Sequence, residues 1–386
     1  MKKPISIYIH IPFCIKKCNY CDFLSAPTDS RTQEEYLRAL EEEIQKQAEY
    51  YRDYAVKTIY IGGGTPTAVP YEKLCHMLRV LRNAFSVEKG AEVSMEANPG
   101  TVDGEALFGY REAGINRLSM GLQSASDKEL ALLGRIHSYA DFLESYELAQ
   151  KAGFCNINVD LMAALPKQKV EDYADTVKKV LALTPVPTHI SAYSLIIEEG
   201  TPFYERYGAE WERMAHTGEA QAHLPTEEEE REMYRLTERL LSEAGYHRYE
   251  ISNYSLSGYE CIHNKVYWQR GDYVGFGLGA ASMVGNVRFR NTPDLQVYME
   301  RKEKIVERAQ LTVKEQMEEF MFLGLRLVEG VDRNMFQENF GVSMEEVYGK
   351  VIAENAGKGL LTDGDRIALT AKGADLGNYV SAQFLQ

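Results

Sequence analysis

Cys14, Cys18 and Cys21 place three thiols within eight residues, in the segment His10-Ile11-Pro12-Phe13-Cys14-Ile15-Lys16-Lys17-Cys18-Asn19-Tyr20-Cys21. Soft thiolates at this spacing select zinc, copper(I) or an iron–sulfur cluster. A closed structural zinc site would need a fourth ligand, and His10 is the nearby candidate. Three thiolates on a cubane [4Fe-4S] cluster would instead leave one iron open to a further ligand. A disulfide framework fits poorly, because the count is odd and the start, Met1-Lys2-Lys3-Pro4, does not read as a secretion signal. Two other stretches carry chemistry. Gly62-Gly63-Gly64-Thr65 lets backbone approach a ligand and offers it amide groups, although the Gly-Lys-Ser/Thr of a phosphate loop is missing. His263-Asn264-Lys265-Val266-Tyr267-Trp268 sets an imidazole beside two aromatic rings.

These groups need a scaffold. Ile5 to Ile9 reads as a strand that delivers the thiol segment, and Val56 to Ile61 as one that delivers the glycines. Between them a helix is expected from about Gln33 to Tyr51, with Thr32 as N-cap. The alternation continues through strands at Ala91–Ala97, Arg117–Leu122, Cys155–Ala164 and His189–Ile197, with helices between them. Six strand–helix steps make an α/β fold with a parallel sheet, a partial (β/α)6 TIM-like barrel; a closed TIM barrel needs two more. Chemistry in such barrels gathers at the C-terminal ends of strands. That rule singles out Glu96, Gln123, Arg135 and Asp160.

Further along, Pro225-Thr226 ahead of four glutamates reads as a helix start, and Gly245 as its stop. Gly275-Phe276-Gly277-Leu278-Gly279-Ala280 fails as a dinucleotide fingerprint, since Ala280 stands where the third glycine belongs. Helical patterns from Leu311 onward, closed by a hairpin-like Gly359–Thr370, suggest a mainly helical, winged-helix-like C-terminal domain. The expected division is 1–245 for the barrel, 246–310 for an extension completing it, and 311–386 for the helical domain.

Composition narrows the function classes. The 386 residues are 45% hydrophobic and 26% charged, with a net charge of −14. That balance argues against a nucleic-acid partner; residues 311–386 carry 12 acidic and 7 basic side chains, so the helical domain lacks the charge to read DNA. No apolar run approaches the roughly 20 residues of a membrane span, and the expected compartment is the cytoplasm.

Cys14-x3-Cys18-x2-Cys21, with Tyr20 before the third cysteine, resembles the cluster loop of the radical S-adenosylmethionine (SAM) superfamily. The resemblance implies a [4Fe-4S] cluster on Cys14, Cys18 and Cys21, whose open iron takes the amino and carboxylate groups of SAM. One electron from the cluster would then cleave the sulfonium to a 5′-deoxyadenosyl radical. It further implies that Gly63, Gly64 and Thr65 lie against the methionyl amino group. Met95-Glu96-Ala97-Asn98-Pro99, Gly121-Leu122-Gln123-Ser124, Leu133-Gly134-Arg135-Ile136-His137 and Asn158-Val159-Asp160-Leu161-Met162 are similar to motifs of the coproporphyrinogen-oxidase-like branch. In that branch these positions hold SAM's ribose, adenine and carboxylate regions, which carries SAM contacts onto Glu96, Gln123, Arg135 and Asp160. Tyr8 joins them by its place six residues before Cys14. His10, Asn98, Arg117 and His137 stand as outlying candidates.

The His263 element resembles the one associated with haem binding in the haem chaperones of this branch, implying His263 as a haem ligand, with Cys261 open as a second. Two functions follow from the resemblance. One is a haem chaperone that passes haem to a haem-accepting protein such as a respiratory enzyme. The other is an oxygen-independent coproporphyrinogen III oxidase, a porphyrin-decarboxylating enzyme. In the oxidase a further cysteine lies two residues past the third; here Phe23 occupies that place, which favours the chaperone.

Overall fold

The structure, a computed structural model, describes residues 2–300 and 303–385. Six parallel strands form its centre: β1 (Lys3–Ile11), β2 (Tyr54–Gly63), β3 (Val87–Ala97), β4 (Arg117–Gln123), β5 (Ile157–Ala163) and β6 (His189–Ser194). The crossovers are α1 (Ser30–Gln47), α2 (Tyr71–Ala84), α3 (Gly104–Glu112), α4 (Asp127–Leu133) with α5 (Tyr139–Lys151), and α6 (Val170–Leu181). One side of each strand packs on these helices and is apolar, as in Ile7, Ile59, Val93, Leu118 and Val159, all at most 1% exposed. The alternate residues face inward and are polar: Ser6, Thr58, Ser94, Ser119, Asn158 and Ser191. The barrel interior is therefore a place where hydrogen-bonding groups converge.

After β6 come α7 (Pro202–Thr217) and α8 (Glu227–Glu243), then β7 (His247–Arg248) and β8 (Asn253–Ser255), which extend the sheet antiparallel to β6. The helix α9 (Ile262–Trp268) precedes β9 (Tyr273–Phe276), which joins β1 from its free side in parallel register. Antiparallel β10 (Ala281–Val284), β11 (Val287–Asn291) and β12 (Ile305–Gln310), with α10 (Leu295–Glu300) between the last two, complete the twelve-stranded sheet. The sheet stays open, with β7 and β12 at its edges. Six parallel strands were legible in the sequence; β9, a seventh, was not, because four residues, one of them glycine, are too few to carry a periodicity.

Two local expectations shift. The N-cap of α1 is Asp29, whose carboxylate accepts the Thr32 amide at 2.7 Å, so the helix begins three residues earlier than Thr32 suggested. It ends at Gln47 and continues to Tyr51 as a 3₁₀ turn. At α8 the expected cap holds, with a reciprocal pairing of Thr226 and Glu229. The Gly275–Ser282 turn is pinned to α1: buried Glu43 accepts from the Gly277 amide at 3.0 Å and from Asn291 at 2.7 Å.

The C-terminal region is α11 (Val313–Gly324), α12 (Arg333–Phe340) and α13 (Met344–Gly357), with a short strand pair at Val331–Asp332 and Arg366–Ile367. Met321, Phe336, Tyr348, Ile352 and Phe384 give it an apolar cluster of its own. It is tied to the barrel sheet by Glu319, which bridges Arg270 at 3.0 Å and Arg288 at 2.8 Å. Among the described residues no helix is long and apolar enough to cross a membrane.

Candidate functional site

The C-terminal ends of β1 to β6 open into one cavity of about 370 Å³. Cys14, Cys18 and Cys21 line it from the loop after β1, and Gly64 and Thr65 from the loop after β2. Glu96, Gln123, Arg135 and Asp160 also line it, so these nine sequence candidates share one space. The loop is stapled from both sides by Asn19: its amide and side chain donate to Leu133 and Leu132, each at 2.9 Å, and its carbonyl accepts from Phe203 at 2.9 Å.

All three thiols are unpaired and partly buried. Burial pushes the Cys14 and Cys21 thiols up, so metal loading must displace protons there. Arg135 donates to the Cys18 sulfur at 3.6 Å. Among the described residues no three His, Cys, Asp or Glu side chains converge as a single metal ion requires. Three cysteine thiols on one loop are the kind of donor set that a polynuclear iron–sulfur cluster takes. His10 is not a fourth ligand here: its ring nitrogens contact the Tyr8 hydroxyl at 3.0 Å and the Leu24 carbonyl at 2.9 Å.

The glycine loop has two tasks. At Gly64 a Cβ would come within 2.5 Å of the Phe13 carbonyl, so only glycine lets this loop pack on the strand end that carries the cysteines. Gly63, at φ +112°, turns its amide toward Glu96 and donates to Oε2 at 3.0 Å; it thus lies behind Glu96 and not on the cavity wall. The other Glu96 oxygen accepts from Tyr60 at 3.1 Å. Burial, and then the charge of Asp160, raise the Glu96 carboxyl to about 7. Asp160 accepts from Asn158 at 2.7 Å and Ser119 at 3.2 Å, and burial raises its pKa as well. Thr65 accepts from Asn98, which accepts from Arg135, each at 2.7 Å, and Arg135 also donates to the Gly121 carbonyl at 2.6 Å. One hydrogen-bonded chain thus runs from the glycine loop to Cys18. Gln123 holds φ 69°, an uncommon conformation for a residue with a side chain. Tyr8 is packed beneath this set, its ring stacked on Tyr60 at 6.3 Å.

The His263 element lies at the other end of the barrel interior. The Glu92 carboxylate accepts the Ile262 and His263 amides at 3.0 Å each, capping the N-terminus of α9 where a negative charge is favoured. His263 is 1% exposed and stacks on Tyr60 at 5.2 Å. Thr58 donates to Ser6 and so accepts from His263 Nδ1 at 2.7 Å; Nε2 is left to accept from the Tyr267 hydroxyl at 2.8 Å. Both ring nitrogens of His263 are thus hydrogen-bonded, and the ring lies beneath the cavity. Cys261, 0% exposed, behaves as a small buried residue with its thiol raised to about 12 by burial. Asn264, the next residue of α9, reaches the cavity wall.

Sequence reasoning left out Tyr60, Ser119 and Tyr193 as cavity residues. Tyr60 was accessible in principle, because it shares the inward face of β2 with Thr58 and Gly62. Arg117 and Asn98 line the cavity, whereas His10 and His137 lie outside its lining.

Burial, and then the Arg117 charge, lower His263 to about 3. A histidine that folds neutral contributes stability above its unfolded pKa of about 6.5, and the contribution is lost as the pH falls towards 3. Going from about pH 7 to pH 4 should therefore lower the melting temperature of the wild type more than that of His263→Asn. Equal acid losses in the two would contradict the buried neutral imidazole.

Comparison with known proteins follows the same division of the chain. The family model of the radical SAM superfamily matches residues 8–180, and that of the HemN C-terminal domain matches residues 311–376. The chain is similar to the heme chaperone HemW of Bacillus subtilis, at 37% identity over 98% of this chain and 99% of the relative. It is similar to that of Lactococcus lactis, at 36% identity over 100% and 98%. Among solved structures, coproporphyrinogen III oxidase (HemN) from Escherichia coli shares the fold at a TM-score of 0.85 and 24% identity, over 100% of this chain and 91% of that one.

Proposed function

Because the chain belongs to the radical SAM superfamily and, within it, to the HemW heme chaperone family, we propose that it is a haem carrier with a cluster- and SAM-binding barrel. Radical SAM membership implies a [4Fe-4S] cluster and SAM. Bound there, they would supply a reducible sulfonium next to a one-electron donor; the protein's share is binding, orientation and exclusion of side reactions. We assign Cys14, Cys18 and Cys21 to the cluster. Gly64 and Thr65 are assigned to the SAM amino end, Glu96 and Asp160 to its hydroxyls, and Arg135 and Gln123 to the carboxylate and adenine sides. Gly63 and Tyr8 support Glu96 and Tyr60 from behind, and His263 takes the floor role that its two hydrogen bonds describe. The carrier is placed in the cytoplasm, where reducing conditions suit a cluster and free thiols, and it would pass haem to a haem-dependent protein.

The observation that carries the haem reading is end-to-end similarity to heme chaperones at 36–37% identity. The oxidase reading is weaker, since the likeness to HemN stands at 24% identity and Phe23 replaces the extra cysteine. The test is an anaerobic titration of the cluster-reconstituted protein with haem, followed at the Soret band. Saturable, stoichiometric binding is the expected result. No binding would sink the carrier reading and turn attention to decarboxylation of coproporphyrinogen III.

Glu96 supplies a test of the SAM site. With its carboxyl near 7, ribose hydroxyls that donate to it select the ionised form. SAM affinity should therefore rise with pH, by up to about tenfold per unit below 7, and level off above. Glu96→Gln should bind more weakly and show no such slope by equilibrium dialysis; an unchanged slope would remove Glu96 from the site.

A further inference from the structure

The helix α7 is anchored weakly by its own burial and closely by the cysteine loop. Of its 16 residues only Phe203 and Gly208 are buried. Its inner stripe, Phe203, Tyr207, Trp211 and Met214, packs on a small apolar cluster that includes Leu133, Met162 and Leu195 and stands apart from the main core. Tyr20, beside the third cysteine, packs on the same cluster from the loop side. Met162 and Leu195 also line the cysteine-bearing cavity, so this small core stands behind its wall. A segment with so few buried residues opens at a low free energy unless something else holds it.

What holds it is the stretch between Cys18 and Cys21. The Asn19 carbonyl accepts the amide of Phe203, the second residue of α7, while the Asn19 amide and side chain reach the last turn of α4. The fit is close, since a Cβ on Gly134 would lie 3.0 Å from the Asn19 side chain. Thr201 caps α7, accepting from Tyr204 at 3.2 Å and donating to the carbonyl of Glu198, a cavity residue, at 2.7 Å. Beyond the helix, Glu210 accepts from the His223 amide at 3.0 Å, and the His223 carbonyl accepts from Lys167 at 2.7 Å. Asn19 and Tyr20 lie within the residues that three bound thiolates would fix in place. Binding of this kind supplies folding free energy to the segment that carries the ligands, and Asn19 and Tyr20 pass it on to α7. By linkage the coupling runs both ways, so whatever loosens α7 weakens retention of the cluster.

We propose that residues 198–224 form a clasp on the cysteine loop, ordered when the cluster is bound and loosened when it is lost. The proposal rests on the assignment of Cys14, Cys18 and Cys21 to the cluster and adds a consequence to it. The state of the cluster is displayed by a helix whose residues stand outside the cavity lining.

The test is hydrogen–deuterium exchange of the full chain under anaerobic conditions, cluster-free and after reconstitution, with iron and acid-labile sulfide measured on the same samples. Peptides from α7 should exchange about tenfold more slowly in the reconstituted protein, within the usual range of coupling between sites. Peptides from α2, which has no part in the clasp, should not change. Asn19→Ala should still load the cluster, since no sulfur is lost, and should narrow the α7 difference to about threefold or less, the effect of one hydrogen bond. Trp211→Ala reads the reverse direction: it removes no cavity residue, and its cluster should lose iron to a chelator about threefold to tenfold faster than the wild type. Trp211→Phe, which keeps a ring in the stripe, should lie between the two. Equal α7 exchange in the two forms of the wild type, with iron and sulfide present after reconstitution, would overturn the clasp and leave the cluster assignment intact. Iron loss from Trp211→Ala at the wild-type rate would overturn it as well. A reconstituted wild type without iron and sulfide would overturn the cluster assignment itself, and the clasp with it.

Discussion

Serine at Cys14, Cys18 or Cys21 is expected to leave the purified protein without iron and acid-labile sulfide, in each of the three variants separately. A hydroxyl is a hard, weakly acidic donor and does not replace a soft thiolate. Three protein ligands leave no spare one to compensate. Because the thiols sit on a partly exposed loop held by Asn19 and not in the apolar core, the fold should survive, with apo-stability changed by about 0.5 kcal/mol or less. Iron and sulfide analysis after anaerobic reconstitution, beside circular dichroism, separates cofactor loss from unfolding. Full retention of both elements in all three variants would refute the cluster assignment. Arg135→Leu, which removes the cation beside Cys18, should lower cluster occupancy less severely.

Glu319→Ala carries the largest stability effect. Glu319 is 5% exposed and bridges two arginines, of which Arg270 has a side chain 9% exposed. Removing the carboxylate strands a buried guanidinium, and breaking a buried pair from one side costs about 3–5 kcal/mol. The loss should appear in urea unfolding as a lower midpoint. Glu319→Gln, which keeps the shape and one acceptor, should lose less. A change below about 1 kcal/mol in the alanine variant would mean that Arg270 finds water or another partner. Because Glu319 lies on α11 and its partners lie near α9 and on β11, the same variant should make the helical region more accessible to proteases.

Local chemistry explains why much of the barrel was readable. Strand alternation at Ile5–Ile9 and Val56–Ile61 sorts core from interior residues whatever surrounds them. Thr226 and Glu229 cap α8 with groups three residues apart. Asp29 and Thr32 are both good caps, and sequence reasoning favoured the wrong one because their choice depends on where the chain leaves the cysteine loop. The helix α7 was missed because its stripe, Phe203, Tyr207, Trp211 and Met214, is mostly aromatic and holds no branched aliphatic residue.

By itself the sequence determined the ligand types and their order: three soft sulfurs on the loop after the first strand, glycines after the second, and acids, amide and arginine at later strand ends. Each of those facts is set by neighbours a few residues away. Which groups touch was decided by the tertiary structure. Arg135 reaches Cys18 across 117 positions, and Glu92 caps α9 across 170. The fate of His263 belongs to the same class. What its two nitrogens meet is set by one residue far away in the chain and another four positions on. Thr58 and Tyr267 meet them only because α9 folds into the barrel floor.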